Sequence, residues 1–206
     1  MKIAYLYYDF LNLYGESGNI KIISNILKYN KIKHEILYLS LDDELEFDKY
    51  DLVYIGSGTE DNLLIALKHL SKYKNDIKKY IEDNKFMLVT GNSVDMFGKK
   101  IEDNKALNIF DYEVSKGIRK KEEVYHNKIL GFINNNSYNN KYCDTDIIRH
   151  NNFYGTYILG PILVRNPHLV KQFLNNLTNK KLKYDLKLET KAYNEFIKNF
   201  KENTNE

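Results

Sequence analysis

The chain has 206 residues, a formal net charge of +3 at pH 7, 43% hydrophobic residues and 29% charged residues. That is the balance of an ordinary globular protein long enough to bury a sizeable core. The charge excess is small and spread out, with no compact basic and aromatic cluster, so nucleic acid is not the expected partner. Cys143 is the only cysteine, which excludes an internal disulfide. No apolar stretch approaches a membrane span, and the first residues read as a strand rather than a signal peptide, so a cytoplasmic setting is expected.

Ile3, Ala4, Tyr5, Leu6, Tyr7 and Tyr8 form a nearly continuous apolar run, as in a strand buried on both faces. Residues 9–18 read as a polar, glycine-containing loop. Ile20, Ile23, Ile26 and Leu27 then recur at helical spacing. Residues 35–39 read as a second strand and residues 51–55 as a third, stopped by Gly56, Ser57 and Gly58. Leu64, Leu67, Leu70, Ile77 and Ile81 predict one face of a single long helix. Residues 86–89 are a fourth strand, followed by a polar corner at Thr90, Gly91, Asn92 and Ser93 and a helix start. Strands alternating with helices predict βαβ units and a parallel sheet.

The second half changes character. Residues 111–125 are charged and read as loops or edge strands, residues 128–133 as a strand, and residues 134–140 as an asparagine-rich turn. Asn166 and Pro167 mark a helix start, with an N-cap and a proline at the first helical position. Leu169, Val170, Phe173, Leu174 and Leu177 follow on one face, and Ala192, Tyr193, Phe196, Ile197 and Phe200 predict a last amphipathic helix. One domain over residues 1–201 is expected, with a polar tail over 202–206.

Three segments together resemble class I glutamine amidotransferase domains of the cobyric acid synthase type. Within that family they are most similar to the glutaminase subunits of lipid II isoglutaminyl synthase. The first segment is Asn12-Leu13-Tyr14-Gly15 with the following Gly18-Asn19. The second is Gly56-Ser57-Gly58-Thr59-Glu60-Asp61. The third is Gly155-Thr156-Tyr157-Ile158-Leu159-Gly160-Pro161, followed by Asn166-Pro167. Their order and spacing agree over residues 3 to 177. The resemblance implies a three-layer α/β/α, flavodoxin-like domain with a central, mostly parallel sheet. It also implies a glutaminase that needs no cofactor or metal and passes ammonia to a Mur-ligase-like synthetase.

Such chemistry needs a thiolate to attack the side-chain amide, a histidine to move protons, and backbone N–H groups to meet the oxyanion. By the resemblance, the nucleophile position falls at Gly91 or Thr90 and the histidine position at Leu159. None of these residues can do that work. The expectation is a degenerate amidotransferase-like subunit that binds its synthetase, or a small amide or amino acid, without hydrolysing it. An active amidotransferase serving cobalamin or peptidoglycan synthesis is the alternative, and a ligand-sensing domain is a third reading.

An active enzyme needs a relocated nucleophile: Thr90, Ser93 or Cys143. The structural reading of Thr90 and Ser93 is a cap on the next helix, with Asp95 adding favourable charge to its first turn. For Cys143 it is an incidental thiol. Gly56, Ser57 and Gly58 read as an oxyanion turn or a plain tight turn. Asn12, Asn92, Ser93 and Asn135 are crevice candidates, whereas no arginine stands out to hold a ligand carboxylate. His34, His69, His126, His150 and His168 show no metal-ligand spacing; only His150 is a crevice candidate, against a solvated surface reading.

Overall fold

The structure is a computed structural model that describes residues 1–204. Its main sheet has six strands: β1 (Lys2–Leu6), β2 (Glu35–Leu39), β3 (Leu52–Ile55), β4 (Phe86–Thr90), β9 (Ile147–His150) and β10 (Phe153–Thr156). They lie in the order β2-β1-β3-β4-β10-β9, parallel except for β9 at one edge. The central strands are apolar on both faces because both faces are covered. Ala4, Leu6, Val53, Ile55, Met87 and Val89 pack towards α2 (Glu60–Leu70) and α3 (Lys74–Glu82). Ile3, Tyr5, Leu52, Tyr54 and Leu88 pack towards α1 (Ser17–Tyr29), α4 (Ile162–Arg165) and α5 (Pro167–Thr178). The three-layer α/β/α arrangement is therefore as the resemblance implied.

The long helix predicted over residues 64–81 is two helices. The Ser71 hydroxyl donates back to the Leu67 carbonyl at 2.7 Å, and residues Ser71–Tyr73 tighten into a 3-10 turn. Such back-bonding by serine bends helices. The buried face of α2 is Leu63, Ala66, Leu67 and Leu70, while Leu64 is partly exposed.

A second sheet joins β5 (Lys100–Ile101), β6 (Asn104–Lys105), β7 (Glu113–His126) and β8 (Ile129–Asn139) in the order β6-β5-β7-β8. β7 and β8 form a long hairpin: the stretch read as loops or edge strands is strand, the strand read over 128–133 begins β8, and the asparagine-rich stretch continues β8 rather than turning. Its actual turn is at Asn127 and Lys128, both at positive φ (50° and 66°), the geometry of a two-residue turn that matches strand twist. The asparagines stay in β8 because their amides find partners there: buried Asn139 donates to the Tyr157 hydroxyl and buried Asn135 to Asp144. Tertiary pairing overrides their poor intrinsic strand preference.

Asn166 precedes α5 with Pro167 at its first position, but its side chain does not cap the helix. It accepts from the Leu130 N–H and donates to the Leu130 and Ile162 carbonyls, all at 2.8 Å, fastening β8 to α4. The last helix, α6 (Lys187–Thr204), reaches the hairpin tip, where the Tyr193 hydroxyl donates to the Lys128 carbonyl. The expected polar tail thus overlaps the end of α6, and residues 205 and 206 lie outside the described residues. Among the described residues no helix is long and apolar enough to cross a membrane.

Candidate functional site

At the carboxyl end of β4 the chain turns into a buried 3-10 segment, Gly91–Phe97. Thr90 is extended (φ −121°), whereas Gly91 sits in the left-handed region (φ +65°). Glycine adopts that conformation without the cost other residues meet. A Cβ built on Gly91 would lie 2.4 Å from Ser57 Oγ and 2.7 Å from Leu159 Cδ2. The fold therefore brings Gly91 and Leu159, 68 positions apart by their numbers, into direct apposition. Leu159 is 1% exposed, and its backbone is held by Phe132 of β8 through reciprocal hydrogen bonds of 2.8 and 3.2 Å.

Gly56, Ser57 and Gly58 form the neighbouring turn, packed so closely that a Cβ on Gly56 would lie 2.3 Å from the Leu11 carbonyl oxygen. This turn is not an open cradle. The Asn92 amide oxygen accepts from the Gly58 N–H (3.2 Å) and the Ser57 hydroxyl (3.1 Å), and its nitrogen donates to the Gly58 carbonyl (2.9 Å).

Neither hydroxyl at the corner caps a helix, contrary to the expectation. Ser93 is buried and donates to the Gly56 carbonyl at 2.5 Å. Thr90 is fully buried, and its hydroxyl donates to the Glu16 carboxylate. A backbone that has already turned into a 3-10 segment packed against the Gly56 turn gives these hydroxyls a carbonyl and a carboxylate to donate to, in place of helix N–H groups to accept from.

Two buried carboxyls flank the corner. Glu16 is fully buried against Thr90 and Tyr54, whose hydroxyl donates to it at 2.5 Å. Burial pushes Glu16 up to about 7, opposed by those hydrogen bonds and by the Gly160 backbone. Asp95 does not lend charge to a solvated helix end. It lies 1% exposed, accepting from Ser137 (2.6 Å) and Tyr157 (2.7 Å), and burial pushes it up to about 7 as well. Glu16 stands inside the first quoted motif, but nothing in the local sequence marks it as buried.

Beside Asn92 a cavity of about 420 Å³ opens between α2 and the second sheet. Asn92, Asp95, Ser137, Lys116, Glu60 and Arg119 line it. Arg119, which sequence reasoning did not single out, forms an ion pair with Glu60 and donates to Asn134 at 3.0 Å. A β-bulge between Lys116 and Lys120 re-aims this stretch of β7, and its sequence carries no bulge signal beyond Gly117.

Of the crevice candidates, Asn92 lines this cavity, and Ser93 is buried beneath the turn. Asn135 is occupied with Asp144 and Ser137, leaving Asn136 and Ser137 to face the opening. Asn12 instead accepts from the Ser17 N–H at 2.9 Å, at the start of α1. Cys143 is exposed in the loop after β8, its N–H held by Asp146, and is not among the side chains that crowd Gly91. His150 is exposed, 3.3 Å from Glu82, and lines neither the turn nor the cavity. Among the described residues no group of three or more His, Cys, Asp or Glu is placed to hold a metal ion.

No family model matches the chain. It is 28% identical over 200 residues, 84% of this chain and 82% of the relative, to the glutamine-hydrolyzing lipid II isoglutaminyl synthase subunit GatD of Staphylococcus aureus. It is 25% identical over 228 residues, 96% and 87% of the two chains, to the subunit of the same name from Streptococcus pneumoniae. A solved glutamine amidotransferase shares the fold with a TM-score of 0.55 at 12% identity, over 86% of this chain and 99% of that one. A second, from Thermotoga maritima, gives 0.51 at 12% identity over 94% and 92%. The chain therefore has the glutamine amidotransferase fold, and along most of its length its sequence is similar to glutaminase subunits of lipid II isoglutaminyl synthase.

Proposed function

We propose that the chain is a glutamine amidotransferase-like subunit that has kept the scaffold of a glutaminase and lost its chemistry, and that it acts by binding a Mur-ligase-like synthetase. One observation carries the reading. The left-handed corner after β4, where a strand-to-helix elbow exposes a nucleophile, is Gly91, and Leu159 is, with Ser57, one of the two side chains packed against it. A thiolate and an imidazole placed at these two positions would be in contact. Glycine supplies no nucleophile, and leucine moves no proton.

Two further features support loss of hydrolysis. Ser57 and Leu159 fill the space a side chain at Gly91 would need. The Asn92 amide takes the Gly58 N–H that would otherwise be free for an oxyanion. The cavity beside Asn92 carries Arg119 and Lys116 with Glu60 and Glu102, opposite charges suited to the carboxylate and ammonium of a small amino acid or amide. The curated relatives are named as subunits of a synthase, and that supports a synthetase partner for this chain.

A relocated nucleophile is the second reading, and the contact between the Thr90 hydroxyl and the Glu16 carboxylate, directly beside Gly91, favours it. The complete burial of Thr90 opposes it. Ammonia release from glutamine, with and without a Mur-ligase-type synthetase, separates the two. The first reading predicts a stable complex and no release in either case. Release that disappears in Thr90→Ala would establish the second.

A further inference from the structure

On the opposite face of the main sheet from α2 and α3, a separate cavity of about 230 Å³ lies between β4, β9 and β10 and the α4–α5 pair. Its floor is apolar, with Leu88, Leu163 and Phe173 all at most 4% exposed. Its rim is polar and of one sign. Arg149 on β9 stands on one side, and Gln172 and Asn176, four apart on α5, stand on the other.

Among the described residues no carboxylate lines this cavity. Among the described residues Arg149 forms no ion pair and no side-chain hydrogen bond; its guanidinium lies 5.2 Å from the centre of the Tyr154 ring, a cation–π contact that leaves its N–H donors unused. The Gln172 and Asn176 amides likewise carry no side-chain hydrogen bond among the described residues. The cavity beside Asn92 differs on this point, since its cations face three carboxylates, those of Glu60, Asp95 and Glu102.

We infer that this second cavity binds a small organic anion with a compact apolar body, an aryl or branched-chain carboxylate, with its apolar part against Leu88, Leu163 and Phe173 and its carboxylate at Arg149. The volume fits: an apolar cavity of about 150 Å³ takes up benzene, so 230 Å³ holds a ring or branched chain with a short linker. The chemistry fits as well, because a guanidinium meets a carboxylate through two parallel N–H donors. The Gln172 and Asn176 amides supply further donors across the mouth. This site requires neither a nucleophile at the elbow nor a synthetase, so its fate is independent of the reading above.

The test is a titration of the purified chain with 3-phenylpropanoate, following the methyl resonances of Leu88 and Leu163, with 3-phenylpropanamide as the neutral control. The carboxylate is expected to saturate these methyls in the millimolar range or below. The amide should bind at least about tenfold more weakly, the weight of one charge-assisted hydrogen bond. Arg149→Gln, a change at an exposed side chain, should bring the carboxylate down to the level of the amide. Equal affinity for acid and amide, undiminished binding to Arg149→Gln, or absence of saturation would each overturn the assignment.

Discussion

The corner after β4 and the cavity beside it are built from neighbouring residues, yet one is closed and the other open. At Gly91 the space a side chain would enter is taken by Ser57 and Leu159, and the adjacent turn is sealed by the Asn92 amide. On the other side of Asn92 lies a cavity of about 420 Å³ that retains Arg119, Lys116, Glu60 and Ser137. The same segment is shut where a nucleophile would act and accessible where a substrate would rest. On the proposed reading, binding and hydrolysis rest on different parts of this fold. A chain can lose the reacting pair and still hold a recess lined with charged groups, because the two rest on different side chains of Gly91–Phe97 and its neighbours.

Gly91→Val breaks the closed region most severely. It adds a β-branched side chain at φ +65°, into atoms 2.4 and 2.7 Å from its Cβ. Left-handed strain and overpacking together should cost about 3 kcal/mol or more, read as a lower urea midpoint. A near-neutral result would show that the corner is looser than this packing implies.

The buried acids give the next effect. Glu16 and Asp95 are raised to about 7 from 4.5 and 3.8. Between their unfolded and folded values the native state therefore binds more protons than the unfolded one, and stability falls as pH rises. Their full contribution is present below about pH 4 and is lost as pH passes through 7. Urea midpoints at pH 5, 6, 7 and 8 should decline, and Glu16→Gln and Asp95→Asn should each flatten the decline. A profile that climbs from pH 5 to 8 in the parent chain and is unchanged in both variants would contradict this account of the two carboxyls.

Asn92→Ala sharpens the comparison from its midpoint. It strips the Gly58 N–H and the Ser57 hydroxyl of their acceptor and should cost about 1–2 kcal/mol. It should also join the turn to the neighbouring cavity, measurable as faster amide exchange at Gly58. The smallest effect belongs to Arg119→Ala. Its ion pair with Glu60 is roughly half-exposed, so stability should change by less than about 1 kcal/mol. A large loss there would mean that the cavity wall is structural rather than available to a ligand.

The parallel core was legible because it leaves direct marks. The runs at residues 3–6, 52–55 and 86–89 are apolar on both faces, and Gly56, Gly58 and Gly91 stand where the chain must turn sharply. The pairing of Gly91 with Leu159 was legible only through the quoted motifs, since a leucine in an apolar block carries no signal of its own. The second sheet was legible only in part: residues 128–133 read as a strand and 111–125 as loops or edge strands, but the full hairpin did not show. Its strands are rich in asparagine and lysine and owe their form to partners such as Tyr157 and Asp144, which are distant in sequence or only visible in three dimensions. Glu16 and Asp95 were missed as buried acids for the same reason, because their burial is made by β4, β8 and the segment around Tyr157. Arg119 reaches its cavity through a bulge that strand periodicity does not foresee.

The central claim is that no side chain of this protein acts as a glutaminase nucleophile. Its most direct test is to expose the purified chain, alone and with a Mur-ligase-type synthetase, to a glutamine-analogue diazoketone that alkylates such nucleophiles, and to weigh the intact protein. The account predicts an unchanged mass. A single glutamine-competable adduct mapped to Thr90, Ser93 or Cys143 would contradict it and would name the residue that does the work.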